Sequence, residues 1–110
     1  MHELAIAESV VATVLERTGD RHVSLVRLRV GRLAAVVPDA LAFSFELATA
    51  GTPLAGAALE VLEQPGRARC RVCESDFDLD DPILLCPCGS ADVLLVSGRE
   101  LAIASVEVAS

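Results

Sequence analysis

Apolar residues recur at Leu4, Ala7, Val11, Val14 and Leu15, with Ile6 and Val10 widening the stripe. This spacing predicts an amphipathic helix over residues 3–18. Glu16 and Arg17 lie toward its polar side, and Gly19 stands where a helix stop is expected. After the turn Gly19-Asp20-Arg21-His22 the period changes. Val26, Leu28 and Val30 alternate with Arg27 and Arg29, the pattern of a strand with one buried face. Gly31 interrupts it and marks a bulge or bend. Pro38 opens a second helix, with Asp39 favourable in its first turn. Leu41, Phe45 and Ala48 are expected on its buried face, joined by Phe43 or Leu47 at the flanks. The helix ends before Gly51-Thr52-Pro53.

A second strand is expected at about residues 58–63, where Leu59, Val61 and Glu63 alternate with Glu60 and Leu62. Pro65-Gly66 breaks it and begins a compositionally distinct stretch, residues 66–97, holding all four cysteines, the acidic run from Asp76 to Asp81, and Gly89-Ser90. After Gly98 a last strand places Leu101, Ile103, Ser105 and Glu107 on one face and Ala102, Ala104, Val106 and Val108 on the other. That strand is too short to stand alone and must return to the first two. The expected fold is therefore α+β: two helices packed on a small three-stranded mixed sheet, with an inserted zinc-ribbon-like four-cysteine module. The main α/β domain comprises residues 1–65 plus 98–110, and the inserted module residues 66–97.

Composition narrows the function. With three Phe and neither Tyr nor Trp, the core must be built from Leu, Val, Ile and Ala. Sixteen acidic residues against nine basic ones give a net charge of −7, which argues against nucleic acid as a partner, since phosphate binding needs clustered Lys and Arg. All nine positive charges are Arg, most simply a coding bias. No run approaches the roughly 18 apolar residues of a membrane span, and Glu3 and Glu8 fall where a signal peptide would be basic and then apolar. The expected location is the cytoplasm, where paired cysteines bind metal or do redox work more often than they cross-link a fold.

The cysteines follow the pattern Cys70-x2-Cys73, then twelve residues, then Cys86-Pro87-Cys88. A Cys-x2-Cys turn sets two thiolates on one side of a zinc ion, and two such turns facing each other complete its tetrahedron. A segment of about thirty residues with few large apolar side chains buries too little surface to fold alone, and metal binding supplies the deficit. Three readings stand: zinc on four thiolates, zinc on three cysteines plus another ligand, and a redox pair Cys70/Cys73. No thioredoxin-like βαβ unit surrounds that last pair.

The amino terminus suggests different chemistry. A terminal amine, the backbone nitrogen of His2 and the His2 imidazole form a compact nitrogen chelate, and nitrogen ligands in a tetragonal array suit Cu(II) or Ni(II). The plain alternative is that His2 is a solvated terminal residue, as His22 is expected to be in its turn. Glu3 either adds an oxygen ligand or simply favours the positive end of the helix dipole.

These residues resemble a known family. Met1-His2-Glu3-Leu4, Val30-Gly31-Arg32-Leu33 with Val37-Pro38-Asp39-Ala40-Leu41-Ala42-Phe43, Gly66-Arg67-Ala68-Arg69-Cys70, Cys86-Pro87-Cys88-Gly89-Ser90 and Ser97-Gly98-Arg99-Glu100-Leu101 are similar, in order, to HypA. That family comprises the nickel metallochaperones of [NiFe]-hydrogenase maturation. The resemblance implies that Met1, His2 and Glu3 bind Ni(II) for transport and that Cys70, Cys73, Cys86 and Cys88 hold a structural Zn(II). It further implies delivery to the hydrogenase large subunit with a HypB-type GTPase, service to urease in some relatives, and room for a homodimer. The family's second pair reads Cys-Pro-x-Cys-Gly-Ser, and this chain lacks the x. No catalytic constellation is present: there is no nucleophile–base pair, phosphate loop or acid–base dyad, so no enzyme is expected. The rival reading is a zinc-ribbon protein-interaction module without nickel delivery.

Overall fold

A computed structural model describes residues 2–109. Its elements in chain order are α1 (Glu3–Thr18), β1 (Val23–Gly31), the short 3-10 turn η1 (Arg32–Ala34), α2 (Pro38–Thr49), β2 (Ala58–Gln64), β3 (Gly66–Cys70), β4 (Asp76–Leu79), β5 (Val93–Ser97) and β6 (Leu101–Val108). They build two three-stranded sheets, ordered β2-β1-β6 and β4-β3-β5. The chain divides into two compact units. Residues 2–28, 36–62 and 102–109 form the first, and residues 29–35 and 63–101 the second.

In the first unit α1 and α2 pack against each other. The stripe on α1 buries Ala7, Val10, Val11, Val14 and Thr18, while Leu4, at its open end, stays 45% exposed. Pro38 occupies the first turn of α2, where its missing N–H costs nothing. Leu41 and Phe45 are almost fully buried, and Val23, Val26, Leu28 and Leu54 complete a core without aromatic rings other than Phe45. Phe43 and Leu47 do not join the flanks as expected: they are 62% and 55% exposed, and the shared buried positions go to Ser44 and Thr49 instead.

The β2-β1-β6 sheet is mixed. The link from β1 through α2 to β2 is a helical crossover, the kind of connection parallel neighbours require. At the other side of β1, the Ala109 N–H donates to the His22 carbonyl (2.8 Å) as β6 returns. Arg27 spans all three strands, donating to Glu60 (3.3 Å), Ser105 (3.2 Å) and Glu107 (3.2 Å). Such exposed pairs contribute only about 0–1 kcal/mol each, but together they tie the register of the sheet. Along β6, Ser105 and Glu107, expected on one face, both meet Arg27, and Ile103 and Val106 line a groove beside α1.

In the second unit β3 pairs antiparallel with both β4 and β5. Arg67 faces Asp78 and Arg69 faces Asp76 in register, and each pair forms an ion pair, at 2.5 Å and 3.5 Å. Arg32 adds bonds to Glu63 (2.6 Å) and Asp80 (2.7 Å). The acidic run is thus largely a set of partners for arginines. Gly31 shows why it must be glycine. A Cβ there would collide with the Gly98 backbone, and this close approach lets the Gly31 N–H reach the Glu100 carbonyl and the Leu33 N–H reach that of Gly98, both at 2.7 Å. No helix of the structure is long and apolar enough to cross a membrane.

Candidate metal centre

Two turns of the second unit carry the cysteines, and they are built alike. In the first, the Cys70 N–H donates to the Ser75 carbonyl (2.9 Å) and the Glu74 N–H returns to the Cys70 carbonyl (3.0 Å). In the second, the Cys86 N–H donates to the Ser90 carbonyl (2.9 Å) and the Gly89 N–H returns to the Cys86 carbonyl (2.8 Å). Both turns close through a residue of positive φ, Glu74 at 63° and Gly89 at 96°. The second is the first with one residue removed. That removal is where the chain departs from the Cys-Pro-x-Cys pattern, and the turn absorbs it.

The shortening has a visible cost. In the first turn the Sγ of Cys70 accepts two N–H groups, those of Val72 and Cys73, each at 3.4 Å. In the second, the Sγ of Cys86 accepts only that of Cys88, at 3.4 Å. The amide three positions on, that of Gly89, closes the turn on the Cys86 carbonyl instead.

The turns bring all four sulfurs together. Cys70 and Cys88 stand 3.8 Å apart and Cys73 and Cys86 3.6 Å, and the four Sγ atoms lie within 4.8 Å of one another. These separations exclude disulfides, whose S–S length is about 2.05 Å; all four cysteines are free. Thiolates on one tetrahedral zinc, with Zn–S of about 2.3 Å, stand about 3.8 Å apart. The donor set and its spacing fit zinc. Among the described residues this is the one convergence of three or more potential metal ligands.

The thiols are unlike one another. Cys70 and Cys86 are buried, Cys73 and Cys88 exposed. Hydrogen bonds from the Ser75 side chain and then its backbone hold Cys73 down at about 6. The Cys73 amide chiefly lowers Cys70. At Cys86 the Cys88 amide also lowers the pKa, but burial and the neighbouring thiols outweigh it and push the group up to about 12. Ser75 was not among the residues the sequence marks out. Its place two positions after Cys73, with a hydroxyl that can reach back, is the signal that would have found it.

The second sequence-predicted site lies in the first unit. His2 occupies the N-cap position of α1, is exposed, and makes no capping hydrogen bond through its side chain. Its carbonyl accepts the Ile6 N–H at 3.1 Å, so the helix is anchored on this residue. Glu3 follows in the first turn, half-buried. Met1 lies outside the described residues.

Comparison with known proteins agrees over the whole length. Residues 1–108 match the family model described as HypA, hydrogenase/urease nickel incorporation, metallochaperone. The hydrogenase maturation factor HypA of Streptomyces avermitilis is 52% identical, covering 96% of this chain and 86% of its own. That of Nostoc punctiforme is 44% identical, covering 98% and 96%. The solution structure of the Ni metallochaperone HypA from Helicobacter pylori shares the fold, with a TM-score of 0.68 at 20% identity, covering 98% of this chain and 97% of that one. With a four-cysteine cluster in one unit, a histidine at the helix start in the other, and both within the matched span, the chain belongs to the HypA family of nickel-incorporation metallochaperones.

Proposed function

We propose that this chain carries Ni(II) as cargo at its amino terminus and delivers it to the large subunit of a [NiFe]-hydrogenase, working with a HypB-type GTPase. The observation that carries the reading is the family match over residues 1–108, which takes in His2 and all four cysteines. The relatives named above are hydrogenase maturation factors, which favours hydrogenase over urease as recipient. The nickel ligands are the Met1 amine, the His2 amide and imidazole, with Glu3 as an oxygen donor. Nitrogen donors in a tetragonal array select Ni(II) over harder ions. An exposed histidine at a helix start suits transport, because a recipient can approach it from solvent.

Cys70, Cys73, Cys86 and Cys88 hold zinc, which when bound supplies a cross-link between the two turns. This division assigns nickel to residues 1–65 with 98–110 and zinc to residues 66–97. Transfer of an ion makes and breaks no covalent bond in a substrate, so the chain is not an enzyme. A cluster of four unbridged thiols suits a reducing compartment, which supports the cytoplasm as the place of work.

The test is maturation in a host lacking its own HypA. The chain should restore nickel content to the hydrogenase large subunit at limiting nickel, and the His2→Ala variant should not, with recovery when nickel is added in excess. Restoration by His2→Ala at limiting nickel would leave only a protein-interaction role.

A further inference from the structure

β6 closes one side of the β2-β1-β6 sheet, and among the described residues β1 is its only strand neighbour. One row of its backbone N–H and C=O groups therefore faces away from the sheet. Edge strands of natural proteins are usually guarded by charges, proline or shortness. β2, at the opposite edge, follows that rule, with Glu60 and Glu63 along it and Pro65 directly after it. β6 does not: its eight residues, Leu101 to Val108, contain one charge and no proline. None of them is fully buried.

A groove runs beside this strand, lined by Thr13, Val14, Arg17 and Thr18 of α1 and by Ile103 and Val106 of β6, with a volume of about 290 Å³. Cofactor-sized ligands take about 300–1,000 Å³, so the groove suits one or two side chains better than a small molecule. Its floor is apolar and its rim carries Arg17, which is exposed and has no ion-pair partner among the described residues. An unpaired strand edge beside a pocket for alternate side chains is the combination by which extended peptides are recognised, main-chain hydrogen bonds giving affinity and pockets giving specificity.

We propose that β6 and the α1 groove dock an extended segment of a partner protein, apolar at alternate positions and carrying a carboxylate that meets Arg17. A second copy of this chain is the poorer occupant. Its own β6 offers one acid, Glu107, and that side chain is held by Arg27 beside Ser105, not on the groove. A β6–β6 pairing would leave both Arg17 guanidinium groups unanswered. A foreign strand with an acidic residue answers both features at once. The assignment does not depend on where nickel binds.

The experiment is selection of a randomised heptapeptide library, displayed on phage, against the full zinc-loaded chain. Enriched peptides are then measured in solution against the native chain, Arg17→Glu and Val106→Lys. Backbone amide shifts are followed by NMR, and zinc content and circular dichroism confirm that each variant is folded. The proposal expects a shared pattern of alternating apolar residues with one acid and amide shifts concentrated on β6. Binding should weaken at least several-fold in both variants, and changing the peptide's acid to Lys should restore binding to Arg17→Glu. The absence of an enriched pattern, binding that survives both variants, or shifts elsewhere would overturn it. So would sedimentation of the free chain as a dimer that Val106→Lys dissociates, since the edge would then belong to a second copy.

Discussion

At the scale of single residues, the four cysteines are potential ligands of one chemical type held in different electrostatic states. Cys73, exposed and stabilised as thiolate by Ser75, sits at about 6, whereas buried Cys86 sits at about 12. At pH 7 the metal-free protein therefore presents Cys73 largely ionised and Cys86 protonated. The thiolate is the reactive form, so iodoacetamide should label Cys73 first and Cys86 last, read by peptide mass mapping. Equal rates, or Cys86 first, would contradict the assignment. The same states give the sign for zinc. A group already ionised yields no proton to the metal, but Cys86 must give one up, so affinity falls as pH falls. Each displaced proton contributes about tenfold per pH unit to the loss. A zinc affinity unchanged between pH 8 and 6 in a chelator competition would count against thiolate ligation through Cys86.

At the scale of elements, glycines decide where backbones can cross. Gly31→Ala would drive a methyl into the Gly98 backbone, and forced overpacking of this kind costs about 1–3 kcal/mol. Gly19→Ala also places a side chain at positive φ, 59°, but nothing stands within 4 Å of it, so its cost is confined to the backbone conformation of that one residue. Urea denaturation should find Gly31→Ala the less stable of the two, and the reverse order would mean that the Gly31–Gly98 crossing yields easily. Helices were the most legible elements. The apolar spacing of α1 and the proline opening α2 fixed both, because tertiary packing rewards the same stripe that sequence displays. The expectations failed where an apolar residue had no neighbour to cover it: Phe43 and Leu47 carry the right composition for a core but point to solvent. The strands of the cysteine segment were overlooked, although Arg67 and Arg69 alternate with Ala68 and Cys70. Four- and five-residue strands give too few periods to separate from a loop, and their pairing with Asp76 and Asp78 is visible only once the register is known.

At the scale of the whole molecule, the proposed function assigns two metal chemistries to two compact units, and the sequence suggested each in a different way. The cysteine spacing announced a soft tetrahedral site directly, and the sulfur separations bear out a cluster of four; the missing residue at Pro87 looked like a break in the pattern and is absorbed by a shorter copy of the same turn. The proposed nickel site rests on Met1, His2 and Glu3. Spacing alone does not separate a chelate from a solvated terminus, and family membership tips the balance. The central claim is therefore that His2 binds nickel. The most direct measurement is a calorimetric nickel titration of untagged, zinc-loaded protein beside its His2→Ala variant. The native chain should take up about one equivalent outside the cysteine cluster, and the variant should lose it while keeping its zinc and its circular dichroism spectrum. Equal nickel uptake by both proteins, or none by either, would contradict the account.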